Sequence, residues 1–80
     1  MAEYHPIVVE FYHYSDYSFA IDELCRNSVS YFNITDVTSA VYYIILPSWF
    51  TNSDLIARVF FDKLIKKRIK YYVKSTRLHF

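Results

Sequence analysis

The chain of 80 residues contains no glycine, where an average domain of that length has about five or six. No other feature restricts it as much. Glycine-rich phosphate loops and dinucleotide fingerprints are excluded, because both bring backbone against phosphate where only glycine fits. Chain reversals must be built from other residues, and between two β-rich runs, "SVSYFNIT" and "SAVYYIIL", that duty falls to Asp36 in Asp36-Val37-Thr38. An Asp side chain can bond the backbone two residues on and so imitate a turn. These runs predict an antiparallel hairpin.

The flanking segments alternate in period. "IVVEFYHY", residues 7–14 with Pro6 ahead of them, is β-branched and aromatic, which predicts a strand with Val8, Glu10, Tyr12 and Tyr14 on one face. After it Tyr17, Ile21, Leu24 and Cys25 recur at helical spacing, with Ser15 or Asp16 as N-cap and Asn27 as the stop. Cys25 reads as a small apolar core residue. Past Pro47, one of Asn52, Ser53 and Asp54 caps a second helix whose apolar positions are Ala57, Phe60, Phe61, Leu64 and Ile65. Trp49 and Phe50, at its entry, read as a hydrophobic staple, or else as an anchor for a partner's pocket.

"KLIKKRIKYYVK", residues 63–74, admits two readings. As a continuous helix it gathers Lys63, Lys66, Lys67, Lys70 and Lys74 into one arc of mutually repelling charge. As helix to about Arg68 followed by strand from Ile69, it places cations in the helix's last turn and leaves Tyr71 and Val73 to alternate with Tyr72 and Lys74. The second reading is favoured. The chain is then one small α+β domain, residues 1–80, of order strand, helix, strand, strand, helix, strand. Right-handed crossovers fold that order into the ferredoxin-like split βαβ arrangement: a four-stranded antiparallel sheet, two helices on one face, and the first and last strands side by side in its middle. The alternative is a three-stranded sheet crossed by a long basic helix.

Composition then bears on function. At this size folding removes only about 60–65% of the unfolded chain's surface from water, yet 54% of the residues are hydrophobic and nine Tyr, seven Phe and one Trp are present. So much aromatic area predicts an outward-facing patch. In the four-stranded arrangement Tyr12, Tyr14, Tyr72, Lys70 and Lys74 share the open sheet face with one of Tyr42 and Tyr43, taken as Tyr43, and Trp49 is the candidate anchor. The expected partner is a second copy or another protein, since Tyr joins a large rigid ring to a polar tip. Single-stranded nucleic acid is the alternative, with bases stacked on the rings and Lys66, Lys67, Arg68, Lys70 and Lys74 on phosphates. The RNA-recognition motif uses the same sheet, but its third strand carries a basic residue and then glycine before spaced aromatics, and "SAVYYIIL" has neither. The resemblance is to topology alone.

Charge is divided along the chain. Residues 1–54 hold seven acids and one base, net −6, and residues 55–80 hold eight bases and one acid, net +7. Two readings compete: steering of an anionic partner to the basic end, or neutralisation of one end by the other.

No reaction is indicated. His5 and His13 lie about 26 Å apart on an extended chain, too far to share a metal, and His79 is next to the last residue. His13 with Asp16 could form a base and its orienter, but no nucleophile is fixed beside them by spacing. A single cysteine makes no internal disulfide, and with no basic leader and no apolar run near the ~20 residues of a membrane span, a cytoplasmic setting is expected. The Asn33-Ile34-Thr35 sequon is therefore read as chance. No cofactor, metal, membrane or small-molecule substrate is called for. Small, glycine-poor and rich in Ile, Phe, Tyr and Lys, as AT-rich coding would make it, the chain resembles in general character the accessory and inhibitor proteins that phages and viruses direct at host enzymes. It is expected to be a regulatory module that binds protein.

Overall fold

The computed structural model describes residues 7–75. Pro6, His5 and His79 lie outside them. Seven elements follow in order: β1 (Ile7–Phe11), α1 (Tyr14–Arg26), β2 (Phe32–Asp36), β3 (Val41–Leu46), α2 (Ser48–Asn52), α3 (Asp54–Lys66) and β4 (Tyr71–Ser75). The fold is α+β, a four-stranded antiparallel sheet with helices. The alternative with three strands and a long basic helix is thereby corrected, because α3 stops at Lys66 and the chain resumes as strand.

The stop is local chemistry. Beyond Lys67 the chain enters the left-handed region at Arg68, φ 58°, and two hydrogen bonds close the end: Arg68 N–H to the Ile65 carbonyl at 2.9 Å and Ile69 N–H to the Leu64 carbonyl at 3.0 Å. This is the Schellman pattern, and its customary apolar contact is available, since both Leu64 and Ile69 are buried in the core. α1 ends in the same way: Ser28 at φ 55°, Ser28 N–H to Cys25 and Val29 N–H to Leu24, with Leu24 and Val29 buried. In a chain without glycine these two left-handed positions, like that of Ala40 at φ 54° in the hairpin turn, are held by residues that bear a Cβ, which costs about 1 kcal/mol each. Arg68→Gly is therefore expected to raise stability by about 0.5–1 kcal/mol, read as a shift in the urea midpoint at constant slope.

The strand order is β2-β3-β1-β4. β1 is paired with β4, as the sequence suggests, but β4 lies at an edge and β3 takes the inner place beside β1. Composition explains the correction. "IVVEF" and "VYYIIL" are the most apolar strands and take the two central positions, whereas β4 carries Lys74, which suits an edge. Val9, Phe11, Ile44 and Leu46 on one face form a single core with Tyr17, Ala20 and Leu24 of α1 and Phe60 and Leu64 of α3.

Several local expectations also change. β1 stops at Phe11 and α1 begins at Tyr14, so Tyr14 is helical. His13 takes the N-cap position in place of Ser15 or Asp16, with no side-chain cap bond, while Asn27 is the C-cap as expected. Cys25 is exposed, and so is Ile65 on the outer side of α3. Phe50 is wholly buried, but Trp49 stays 45% exposed, so of the two rings only Phe50 closes the core, from within α2. The hairpin turn follows the sequence reading. Asp36 Oδ1 accepts from Thr38 N–H at 3.1 Å and Ser39 N–H at 3.2 Å, and these donors, Ser39 first, hold its carboxyl below the usual range.

Candidate functional site: the open sheet face

Cross-strand register defines the face that the helices do not cover. Residues paired across an antiparallel ladder share a side, so two rows run across the sheet: Ile34, Tyr43, Glu10 and Tyr72, then Phe32, Ile45, Val8 and Lys74. Val41, opposite Asp36, extends this face at the β2–β3 end. None of these side chains belongs to the buried core. Phe32 is 75% exposed, Ile34 55% and Tyr72 54%.

The face is graded in polarity. Its β2–β3 half is apolar, from Phe32, Ile34, Tyr43 and Ile45. Its β1–β4 half centres on Glu10, whose carboxylate receives Lys74 Nζ at 3.1 Å and the Tyr12 hydroxyl at 3.3 Å. The Glu10 carboxylate, by hydrogen bond and by charge, holds the Lys74 ammonium above its ordinary value. The Tyr12 hydroxyl is also raised, first by desolvation and then by the same carboxylate. Glu10 and Lys74 thus neutralise one another at the β1–β4 half.

The candidate residues named from sequence fall in three places. Tyr12, Tyr43 and Tyr72 stand on the open face. Tyr14 does not: its ring lies 6.0 Å from Tyr17 and 5.8 Å from Tyr42, which belong to the helix side, so the expected placement is corrected. The cause is the early end of β1, which breaks the alternation before it reaches residue 14. Trp49 sits in α2, edge-on to Phe50 at 6.4 Å, away from the strand rows. Phe32, Ile34 and Ile45 were not anticipated, although the Asp36 turn fixes the hairpin register and the alternation from it would have found them.

The cations are dispersed and mostly engaged. Lys66 pairs with Asp62 at 2.9 Å, and Lys67 lies 4.2 Å from the Phe19 ring centroid. Arg68 closes α3, and Lys70 lies between α3 and β4. The acidic front and basic end meet in Glu10–Lys74 and in Glu23–Lys63, 2.7 Å apart across α1 and α3. Among the described residues no group of three or more His, Cys, Asp or Glu could hold a metal ion, and no helix is long and apolar enough to cross a membrane. No family model matches the chain, and comparison with curated proteins and with solved structures finds no match.

Proposed function

We propose that this chain is a binding module and not an enzyme: a small regulatory domain of the accessory or inhibitor type, working in the cytoplasm, that docks a protein partner on its open sheet face and self-associates. One observation carries the reading: Phe32, Ile34, Tyr43, Ile45 and Tyr72 lie together on a sheet face that no helix covers. Exposed apolar patches of this kind mark interaction sites. The rings suit protein, because Tyr43 and Tyr72 flank the neutralised Glu10 and present apolar area with hydroxyl tips. The pairing of Lys66 and Lys74 with carboxylates and the stacking of Lys67 on Phe19 weigh against phosphate binding. The ferredoxin-like reading of the architecture is supported by the order of the elements, once the five-residue α2 is set aside, and by the pairing of β1 with β4.

The immobilised full-length chain and a Tyr43→Lys/Tyr72→Lys variant, each checked by circular dichroism, are to be compared for proteins retained from cell extract. Retention by the wild type and at least tenfold loss in the variant is the expected result. Equal retention by both would place docking elsewhere. Fluorescence anisotropy with labelled single-stranded DNA at two salt concentrations settles the competing partner: tight binding that weakens steeply with salt would favour phosphate contacts.

A further inference from the structure

The two edges of the sheet differ. β4 carries Lys74, and Lys70 precedes it, both exposed, the kind of charge that discourages another strand from adding on. β2, Phe32-Asn33-Ile34-Thr35-Asp36, pairs only with β3, and its first four residues are exposed. It holds no Lys, Pro or Gly. Its one ionisable residue, Asp36, stands at the end with its carboxylate turned to the Thr38 and Ser39 N–H groups. An edge that is unguarded and flanked by exposed Phe and Ile is a template for strand addition.

We propose that the occupant of this edge is β2 of a second copy, paired antiparallel about a two-fold axis to give one continuous eight-stranded sheet. Symmetry restricts the register. On one edge the outward N–H and C=O groups belong to alternate residues, so an isologous pair must centre on a residue facing its own copy. Centred on Asn33, the pairing sets Phe32 against Ile34 of the second copy and Ile34 against Phe32, two apolar contacts on the open-face side. Centred on Ile34, it would set Phe32 against an Asp36 carboxylate. The Asn33 register wins.

Charge agrees with a second copy. The net charge of +1 leaves little repulsion between copies, and the edge's one charge, Asp36, stands at its end and is engaged by the Thr38 and Ser39 N–H groups. Pairing β2 with its copy covers part of Phe32 and Ile34, 75% and 55% exposed in the single copy, a contact in the small class below about 1,200 Å². The pairing sets the apolar halves of two open faces side by side and leaves Tyr43, Ile45 and Tyr72 off the seam, so a variant at Tyr72 separates the dimer from the docking face.

Light scattering of the full chain, reduced to keep the exposed Cys25 from cross-linking, is the test. The wild type is expected at twice 9.7 kDa, Ile34→Lys at the monomer mass with unchanged circular dichroism, and Tyr72→Lys, at the far end of the face, still dimeric. Phe32→Lys serves in place of Ile34→Lys should the latter fail to fold. A monomeric wild type at about 100 μM, a dimeric β2 variant, or loss of the dimer in Tyr72→Lys would each overturn the proposal, the last by showing association face to face.

Discussion

Phe50→Ala is expected to lower the stability of the domain by about 3–5 kcal/mol. Phe50 is wholly buried and holds three rings edge-on, Trp49 at 6.4 Å, Phe60 at 5.6 Å and Phe61 at 6.2 Å. Phe61 in turn lies 5.6 Å from Tyr71, so one side chain links α2 and α3 to β4. Truncating such a ring costs about 3–5 kcal/mol, the lost transfer energy plus the cavity left behind. A domain of this size has only about 4–12 kcal/mol in total. The neighbouring Trp49→Ala, at a half-exposed ring, is expected to cost no more than about 1.5 kcal/mol. Urea titrations followed by circular dichroism at one fixed protein concentration measure both, the concentration being held because self-association adds to apparent stability. Equal losses from the two substitutions would show that α2 is not anchored through Phe50.

Much of this fold is written locally in the chain, and the errors have a common origin. Asp36 is read correctly because a turn without glycine has few other means, and its carboxylate meets Thr38 and Ser39 as that logic requires. The boundary inside residues 63–74 is legible for a reason that charge repulsion does not capture. Leu64 and Ile69, five apart, are the apolar pair of a Schellman stop, and Leu24 and Val29 repeat the spacing at the end of α1. The misreadings lie where an aromatic residue suits either state. Tyr12 and Tyr14 satisfy β propensity equally, and only the tertiary contact of Tyr14 with Tyr42 and Tyr17 decides that the strand ends before it. Cys25 and Ile65 fit apolar helical positions yet face solvent, because a small sheet buries only a narrow stripe of each helix. The placement of β4 at an edge was beyond strand propensity, and the two lysines at positions 70 and 74 were its available signal. The apolar half of the open face follows from alternation counted back from the Asp36 turn, which puts Ile34 and Phe32 on the side of Tyr43 and Ile45, a signal separate from the turn itself.

Lys63→Met is expected to cost about 1–3 kcal/mol, more than its half-exposed position suggests. The reason is its partner. The Glu23 side chain is only 5% exposed while Lys63 is 44% exposed, and their 2.7 Å contact ties α1 to α3 across 40 positions of sequence. A pair of surface ions contributes little, but removing one member of a buried pair leaves the other charge without compensation, at about 3–5 kcal/mol in full burial. Two features reduce that figure. Lys63 is already partly hydrated, and Arg26 Nη1 remains 3.3 Å from the other Glu23 oxygen. Replacing both residues, Glu23→Met with Lys63→Met, removes the stranded carboxylate together with its partner and is expected to recover most of the loss, since an apolar pair of similar volume replaces a buried ion pair at little cost. Denaturant midpoints for the wild type, the two single variants and the double variant form a thermodynamic cycle. Strong non-additivity, with the double variant close to wild type, is the expected outcome. Additive losses would mean that Glu23 is held by Arg26 and water, and that α1 and α3 are fastened by the apolar core alone.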